Sequence, residues 1–406
     1  MKIFPLFTRF GVELEYMIVD TETLDIRTIA DQLIESEAGG LEQDVNRGPV
    51  DWSNELALHV IEMKTAKPVP KLAGLAENFQ AEVNYINSWL ATKGCRLLPT
   101  AMHPWMNPHR ESRLWPHGDR EIYETFHRIF DCCGHGWTNL QSVHLNLPFA
   151  DDAEFVRLHA AIRLILPLLP ALAASSPFVD GKRAPNLDQR LETYRHNCRR
   201  IPSVSGRVIP EAVRGEADYE RKILKKIEKD VRPFDGAGVL EAEWTNARGA
   251  IARFCRNTIE IRVLDIQECP AADVAVLQLI EGVLRKLVVE GDWEAQSKIS
   301  TPALEKILLA VVRDADETVI DNRAYLRLLG IEKGDSIKAS EIWRSLLGWT
   351  GIDKLKSNDP LKTILTKGPL ARRLHRAAGA RVNRNGLREL YGQLADCLAQ
   401  GKLFDA

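Results

Sequence analysis

The sequence predicts an α+β protein built around an antiparallel sheet, and three features of its hydrophobic pattern support this class. Segments typical of β-strands are few and lie far apart along the 406 residues. They alternate polar and apolar residues, whereas the strands of a doubly wound parallel sheet form uniformly apolar runs. Helical patterns separate them, and the chain shows helical patterns alone from Gly291 onward.

Four segments predict the strands. Polar and apolar residues alternate over residues 11–19 and 142–147, and most regularly over residues 258–265. Residues 56–63 form a shorter segment rich in branched side chains, which favours a fourth strand. We therefore expect a sheet with one apolar face and one polar face.

Three longer segments predict helices. Residues 71–91 and 154–173 carry apolar side chains at every third or fourth position, and residues 273–290 continue this pattern after the last strand. We divide the chain after this helix. The first domain, residues 1–290, carries the sheet, and residues 291–406 form a helical C-terminal extension packed on the same body.

Composition limits the classes of function. Hydrophobic residues make up 45% of the chain and charged residues 27%, as is typical of a globular protein. The formal net charge of −2 argues against binding to nucleic acid or to a membrane surface, because both favour a basic excess. The longest apolar run, residues 164–174, is too short to span a bilayer. The N-terminus lacks a signal-peptide pattern, so we expect a cytoplasmic protein. Because the charge balance argues against nucleic acid and membranes, we expect small molecules as its partners.

Three of the predicted strands carry charged or ligand-type side chains on their polar face. Side chains alternate across a strand, so residues two positions apart share a face. The pairs, in chain order, are Glu13 with Glu15, His144 with Asn146, and Glu260 with Arg262.

Each pair alone has an ordinary structural explanation, because acids on a strand usually face solvent and a single histidine is more often a core residue. Their combination favours a metal site, since carboxylates that converge repel one another unless a cation is bound. The fourth predicted strand adds Glu62, and Glu55 lies at its start. Oxygen ligands of this kind favour Mg²⁺, and His144 also permits Mn²⁺.

Six motifs occur in the order seen in the glutamate–cysteine ligase superfamily: GVELEY, VIEMKT, AMHPW, SVHLNL, AASSPF and TIEIRVLD. Over residues 10–290 the chain resembles the carboxylate–amine ligase branch of that superfamily, the type 2 glutamate–cysteine ligases. The resemblance implies a curved antiparallel sheet that forms a funnel flanked by helices, as in glutamine synthetase. It also implies an enzyme that uses ATP and Mg²⁺ to join a carboxylate, the γ-carboxylate of glutamate, to cysteine or another amine through an acyl-phosphate.

The resemblance also implies roles for individual residues. Arg262 matches the arginine that meets the ATP phosphate or the acyl-phosphate, which predicts a catalytic role for it. Asn146 lies in the same motif as His144 and is expected to bind substrate or ATP. The implied metal ligands are Glu13, Glu15, Glu55, Glu62, His144 and Glu260.

Four further arginines are candidates for two substrate-binding positions. Counting forward from the AASSPF motif reaches Arg190, whereas counting back from the next Ile-Pro pair favours Arg195. Before the last strand both Arg248 and Arg253 are available, and we select Arg248. His103 either lines the mouth of the funnel or caps a turn, and we include it among the substrate-binding candidates.

Two classes other than a ligase are compatible with this pattern. One is a nonenzymatic paralogue that binds a nucleotide or an amino acid for regulation. The other is a phosphotransferase on a related fold, for which a reactive cysteine is expected, and the flanks of Cys255 do not suggest that role. The arginine-rich residues 371–390 predict a solvated face, a lid over the nucleotide phosphates or a surface that meets an acidic partner. The sequence does not specify the amine, and it is compatible with a homo-oligomer.

Overall fold

A computed structural model describes residues 2–40, 44–118, 120–332, 334–351, 359–380 and 382–405. Within these ranges the strands, numbered in chain order, are β1 Gly11–Asp20, β2 Asp44–Asn46, β3 Val50–Asn54, β4 Val60–Thr65, β5 Cys95–Leu98, β6 Ser142–Pro148, β7 Phe178–Val179, β8 Lys182–Arg183, β9 Ala250–Arg253, β10 Thr258–Asp265, β11 Val319–Ile320 and β12 Ile337–Lys338.

The α-helices surround the strands and dominate the second half of the chain. They are α1 Ala30–Ala38, α2 Leu75–Ala91, α3 Pro108–Glu111, α4 Arg120–Phe130, α5 His135–Thr138, α6 Asp152–Ile165, α7 Pro170–Ala173, α8 Gln189–Tyr194, α9 Glu216–Tyr219, α10 Lys225–Val231, α11 Ala242–Thr245, α12 Pro270–Val289, α13 Trp293–Lys298, α14 Thr301–Asp314, α15 Arg323–Leu328, α16 Ala339–Leu347, α17 Pro360–Lys367, α18 Leu370–Ala378 and α19 Arg384–Gln400.

Eight of the strands form one sheet in the order β2-β3-β4-β1-β6-β10-β9, and β5 pairs with the later part of β1. Every pairing in this sheet is antiparallel. The predicted α+β class with an antiparallel sheet is therefore confirmed. The strands predicted at residues 11–19, 142–147 and 258–265 are β1, β6 and β10, which lie next to one another in the sheet.

The central strands separate polar and apolar side chains as predicted. Val12, Leu14 and Tyr16 of β1 are fully buried. They join a large hydrophobic core with Phe79 of α2 and other residues of α2, α6 and α12. The alternation of a strand therefore directs Glu13, Glu15 and their neighbours to the opposite face, which we call the site face.

The C-terminal helices cover one end of the site face. Met17 and Val19 follow Glu15 on the same face of β1, and they pack with Leu374 of α18 and Tyr391 of α19 in a second hydrophobic cluster. Other late helices, among them α14, α16 and α17, contribute side chains to the main core. The late helices thus share hydrophobic clusters with the strands of the sheet.

Several elements differ from the sequence predictions for local reasons. The strands β2, β3, β5 and β9 were not predicted, because segments of three to five residues are too short to show a clear alternation. The prediction of helices alone after Gly291 is wrong for the same reason, since the two-residue strands β11 and β12 pair there. The strand predicted over residues 56–63 begins only at Val60. The helix predicted over residues 154–173 ends at Ile165, because Pro167 and Pro170 interrupt its hydrogen bonding.

Candidate active site

Strand register brings the predicted metal-binding side chains together on the site face. Glu13 of β1 pairs with His144 of β6 on one side and with Lys64 of β4 on the other. Glu15 pairs with Glu62, two positions further along both strands. Side chains of paired residues lie on the same face of a sheet, so these residues form one polar surface across β4, β1 and β6.

Hydrogen bonds link this surface into a network. His144 Nδ1 lies 2.7 Å from Glu13 Oε2, and Asn146 Nδ2 donates to Glu13 Oε1 at 3.0 Å. His144 Nε2 lies 2.9 Å from Ser142 Oγ, while the Ser142 backbone N–H donates to Glu15 Oε2 at 2.7 Å. The network fixes the orientation of both glutamates of the GVELEY motif.

Two overlapping groups of acids and imidazole have ligand atoms within 4.8 Å of one another. The first group is Glu13, Glu62 and His144, and the second is Glu15, Glu55 and Glu62. Glu62 belongs to both groups, and Ser53 Oγ donates a hydrogen bond of 2.5 Å to its Oε1. Five of the six predicted metal ligands therefore lie in two adjacent clusters.

The electrostatics of these clusters reflect the crowding of negative charge. Burial, together with the charges of Glu15 and Glu62, raises the pKa of Glu55 well above its usual range. Burial and then the charge of Glu13 raise the pKa of Glu62 to about 7. Burial alone would also raise the pKa of Glu13, but the hydrogen bond and charge of His144 lower it to about 2. Bringing a cation to the clusters would relieve this repulsion.

The sixth predicted ligand, Glu260 of β10, lies between two arginines. Its carboxylate oxygens lie 3.4 Å from Arg262 Nε and 3.5 Å from Arg253 Nε. Arg253 was the alternative that we did not select in the sequence. It contacts Glu260 of the site face, whereas Arg248 contacts Glu211. Because β9 pairs with β10 at this point, a register argument could have favoured Arg253 once β9 was known.

A β-bulge in β10 adds a further acid to the site face. The register with β6 shifts by one residue between Ile261 and Leu264, so Asp265 pairs with Ser142. The Asp265 side chain accepts hydrogen bonds from the Ser175 backbone N–H and from Ser176 Oγ, both at 2.8 Å. These two serines belong to the AASSPF motif. The bulge is not visible in the sequence, and Asp265 was not predicted as a site residue.

Arg190 of α8 is held against the same strand. Its Nη2 donates to the Arg262 carbonyl oxygen at 3.1 Å, and its Nη1 lies 3.6 Å from Asp265 Oδ1. The residue is only 2% exposed, yet its Nε and Nη1 have no hydrogen-bond partner among the described residues. Asp265 is therefore the acid that lies nearest to the buried Nη1 among the ion pairs of the described residues.

A cavity of about 230 Å³, which we call the aromatic cavity, lies against one part of the cluster. Its polar lining includes Glu15, Glu55, His144, Arg190 and Arg262. Its apolar lining consists mainly of rings, and includes Tyr123, Phe126, Trp137, Tyr194 and Trp244. Charged groups and apolar walls thus meet in one cavity, which is typical of a small-molecule site.

A second cavity of about 530 Å³, the basic cavity, lies against the other part of the cluster. Glu13 and Asn146 line it, together with the cationic residues Lys2, Arg9, Lys64 and Arg256 and the rings of Phe4 and Phe10. Glu13 and Glu15 are neighbours on the site face, so the boundary between the two cavities falls at the carboxylate clusters.

Three predicted substrate-binding residues lie outside both cavities. The Arg248 guanidinium is buried. It donates hydrogen bonds to the Glu211 carboxylate at 2.6 and 2.8 Å and to the Ser203 carbonyl oxygen. Arg195 forms an i,i+3 ion pair with Glu192. These contacts favour structural roles for the two arginines, whereas Arg190 and Asn146 line the cavities.

His103 has structural contacts as well. Its Nε2 is hydrogen-bonded to the Leu24 carbonyl oxygen at 2.7 Å, and its Nδ1 accepts from the backbone N–H groups of Trp105 and Met106. Burial lowers its pKa to about 4, so the ring is neutral. Of the two alternatives stated for His103, the contacts favour the turn cap.

None of the described arginines of residues 371–390 lines the aromatic or the basic cavity, so their contacts do not favour the lid. Arg372 binds Asp316, Arg376 donates to the Lys367 carbonyl oxygen, and Arg373 forms a fully buried ion pair with Glu268 at 2.6 Å. Arg384 pairs with Asp25, and Arg388 is exposed. Arg381, the sixth arginine of this segment, lies outside the described residues.

Solved structures share this fold over nearly the whole chain. A bifunctional glutathione synthetase from Pasteurella multocida superposes with a TM-score of 0.58 at 15% identity, over 98% of this chain and 52% of that protein. The chain therefore spans about half the length of that enzyme. A glutamate–cysteine ligase from Francisella tularensis, solved in complex with AMP, gives a TM-score of 0.53 at 11% identity and covers 98% of this chain and 90% of its own. The fold is that of the glutamate–cysteine ligases and related ligases.

The chain belongs to glutamate–cysteine ligase family 2, whose model matches residues 9–323. A relative from Archaeoglobus fulgidus, described as an uncharacterized protein, is 35% identical over 337 residues, which are 80% of this chain and 90% of the relative. The family predicted from the six motifs is thereby confirmed. Of the helices in the described ranges, none combines the length and the apolar character needed to cross a membrane.

Proposed function

We propose that the protein is an ATP-dependent ligase that joins a carboxylate, the γ-carboxylate of glutamate, to an amine. The observation that carries this proposal is the convergence of four glutamates and His144 beside Arg190 and Arg262 on one sheet face. Membership of glutamate–cysteine ligase family 2 supports the same class of reaction.

The donor set fits divalent cations. Glu13, Glu62 and His144 would hold one ion, and Glu15, Glu55 and Glu62 would hold a second, because their ligand atoms already approach within 4.8 Å. Carboxylate oxygens are the ligands that Mg²⁺ prefers, and the imidazole also suits Mn²⁺. When bound, such ions neutralise the charge that develops on transferring phosphate oxygens. We assign Glu260 a different task, which is to orient Arg253 and Arg262.

The two cavities suit different substrates. The cations and rings of the basic cavity are complementary to a triphosphate and to a purine base, so we assign this cavity to ATP. The aromatic cavity has arginines for a carboxylate beside apolar walls, so we assign it to the two amino-acid substrates. The reacting groups then meet at the carboxylate clusters between the cavities.

In this reaction the side chains position the substrates and do not form covalent bonds with them. An oxygen of the γ-carboxylate attacks the γ-phosphorus of ATP, and the bond to ADP breaks. The neutral amine nitrogen then attacks the acyl carbon, phosphate leaves, and the amine loses a proton to give the amide. Arg262 stabilises the phosphoryl group through its planar fork, Arg190 binds a substrate carboxylate, and the apolar walls exclude water from the acyl-phosphate.

Release of ADP tests this function. The purified protein is incubated with ATP, Mg²⁺ and glutamate, with and without each member of a panel of amines, and product masses identify what is joined. Release that requires both glutamate and an amine supports the ligase. With glutamate and ATP alone, hydroxylamine should trap the acyl-phosphate as a hydroxamate, and its absence during proven ligation would contradict that intermediate.

Other outcomes of the same assay favour the other classes. Phosphoryl transfer that needs no amine indicates a phosphotransferase, although Cys255 is exposed and bonded to Glu243 rather than lining either cavity. Tight nucleotide binding without turnover indicates a regulatory paralogue. We also propose that the enzyme is cytoplasmic, and that residues 1–290 form its catalytic domain with residues 291–406 as a supporting extension.

A further inference from the structure

A third cavity borders the aromatic cavity on the side away from the carboxylates. A further cavity of about 450 Å³, the outer cavity, lies between α4 and the segment around α11. Tyr123, Phe126, Trp244 and Thr245 line both the outer and the aromatic cavity. The two spaces therefore meet at these side chains, three of which carry aromatic rings.

Apolar side chains form the larger part of the lining of the outer cavity. Besides the shared residues, Ile122, Val239 and Leu240 line it, and Glu241 is the charged residue of its lining. An acid at this position disfavours the phosphates of ATP and the side-chain carboxylate of glutamate, because like charges repel. Because Glu241 and the apolar walls disfavour the other two substrates, we assign the outer cavity to the amine substrate.

Trp244 exposes a large apolar surface beside the two cavities. Its side chain is 46% exposed although it is one of the largest apolar groups in the protein. The guanidinium of Arg253 lies 4.3 Å from the ring centroid and that of Arg256 lies 5.0 Å from it. The indole is thus held between defined neighbours while part of it faces solvent, which is unfavourable until an apolar group covers it.

Rings further inside continue the same wall. The Phe126 ring centroid lies 5.6 Å from that of Trp137, which in turn stacks on Phe130 at the same distance. Flat apolar walls accept another ring in offset or edge-to-face contact. A side chain as small as that of cysteine or alanine would not extend from the carboxylates into the outer cavity.

We propose that the amine substrate of this ligase carries an aromatic side chain, which lies against Trp244, Phe126 and Tyr123 where the aromatic and outer cavities meet. This inference rests on the proposed ligase function and specifies its acceptor. The amino group faces the carboxylate clusters, and the ring points away from them toward the outer cavity.

The test compares L-phenylalanine with L-alanine, which differ only by the phenyl ring. With ATP, Mg²⁺ and glutamate, kcat/KM from ADP release should be at least about tenfold higher for phenylalanine. Trp244→Ala should remove most of this preference, measured as the ratio of the two kcat/KM values, because the value for phenylalanine falls more than the value for alanine. Trp244→Phe should restore part of the preference, since it returns a ring. Tyr85→Ala, at an exposed aromatic residue outside the cavities, serves as the control and should leave both values unchanged.

Each result decides the proposal. Equal values for the two acceptors, or ligation of alanine or cysteine without ligation of phenylalanine, would overturn the aromatic acceptor and leave the ligase function intact. A preference for phenylalanine that survives in a folded Trp244→Ala protein would overturn the assigned location. If no amine supports ADP release, the ligase function fails. Calorimetric titration with phenylalanine in the presence of ATP and Mg²⁺ then tests the cavity, and binding no tighter than that of alanine would overturn the inference independently.

Discussion

Arg190 and Asp265 lie 3.6 Å apart, Nη1 to Oδ1, in a part of the site where both side chains are almost completely buried. The β-bulge turns Asp265 toward this arginine, and Ser175 and Ser176 hold the other carboxylate oxygen. Burial raises the pKa of Asp265 to about 6, although Arg190 and the two serines oppose the increase. The pair links the AASSPF motif to the arginine that faces the aromatic cavity.

Replacing Asp265 by asparagine should weaken substrate binding without unfolding the protein. The amide can still accept the hydrogen bonds from Ser175 and Ser176, but it provides no charge to hold Arg190. We expect the KM for glutamate to rise by roughly tenfold or more, the effect of losing one charge-assisted interaction. Asp273→Asn, at an equally buried acid that contacts Tyr16 on the opposite face, is the matched control. A KM unchanged in Asp265→Asn would show that Arg190 is positioned without it.

The metal clusters predict that Glu62 has the broadest effect of the candidate ligands. Because Glu62 belongs to both groups, Glu62→Gln should reduce ATP turnover by about 100-fold or more and raise the Mg²⁺ concentration needed for half-maximal rate. Glu13→Gln and Glu15→Gln, which each change one group, should also abolish most turnover. Glu389→Gln at an exposed acid is the control. Retained turnover at ordinary Mg²⁺ in all three glutamine variants would refute the metal assignment.

Arg262 is expected to act on the phosphoryl group, and lysine should not replace it. A point charge cannot reproduce the planar fork of a guanidinium, so Arg262→Lys should lower kcat by roughly 100-fold, with a smaller change in the KM for ATP. The backbone N–H of this residue bonds to the Gly249 carbonyl oxygen, and the substitution keeps that contact. Arg195→Lys, at an arginine paired on the surface with Glu192, should behave like the unmodified protein. A near-normal kcat in Arg262→Lys would show that Arg262 has a structural role and not a catalytic one.

The buried pair of Arg373 and Glu268 predicts a stability effect instead of a kinetic one. Glu268 Oε1 accepts from Arg373 at 2.6 Å, and the Arg373 side chain also donates to the Phe404 carbonyl oxygen. Arg373→Gln leaves a buried carboxylate without its cation, so the free energy of unfolding should fall by about 3–5 kcal/mol. Urea denaturation measures this loss, and the KM for ATP of the folded protein should not change.

The exposed Arg376 provides the comparison for this helix. Arg376→Gln should change the free energy of unfolding by less than about 1 kcal/mol, because the residue donates to a carbonyl oxygen at the surface. A raised KM for ATP in either variant, with unchanged stability, would support the lid that the contacts of these arginines do not favour.

The central strands could be predicted because their alternation is long and regular. Glu13, Glu15, His144 and Asn146 follow directly from that alternation once the family order of motifs is considered. The choice between Arg248 and Arg253 could not be made in this way, because it depends on the four-residue strand β9. Asp265 was missed for a similar reason, since a bulge reverses the face on which a residue lies and leaves no mark in the hydrophobic pattern.

The aromatic side chains around Trp244 show another limit of sequence reasoning. Tyr123, Phe126 and Trp137 come from helices outside the six motifs, and ring-rich helical segments usually contribute to a core. The packing of α5 against α8, and of Phe126 against Trp137, brings these rings to the carboxylates. No local pattern distinguishes a ring that lines a cavity from one that fills the interior.

The position of the carboxylate clusters between the basic and aromatic cavities has a consequence for the order of events. In the proposed reaction the nucleotide and the amino acids approach from separate mouths, so neither has to enter before the other. Initial rates should therefore follow a random sequential pattern, in which double-reciprocal plots for ATP and amine intersect. ADP should compete with ATP but not with the amine, and the amide product should be able to leave while ADP is still bound.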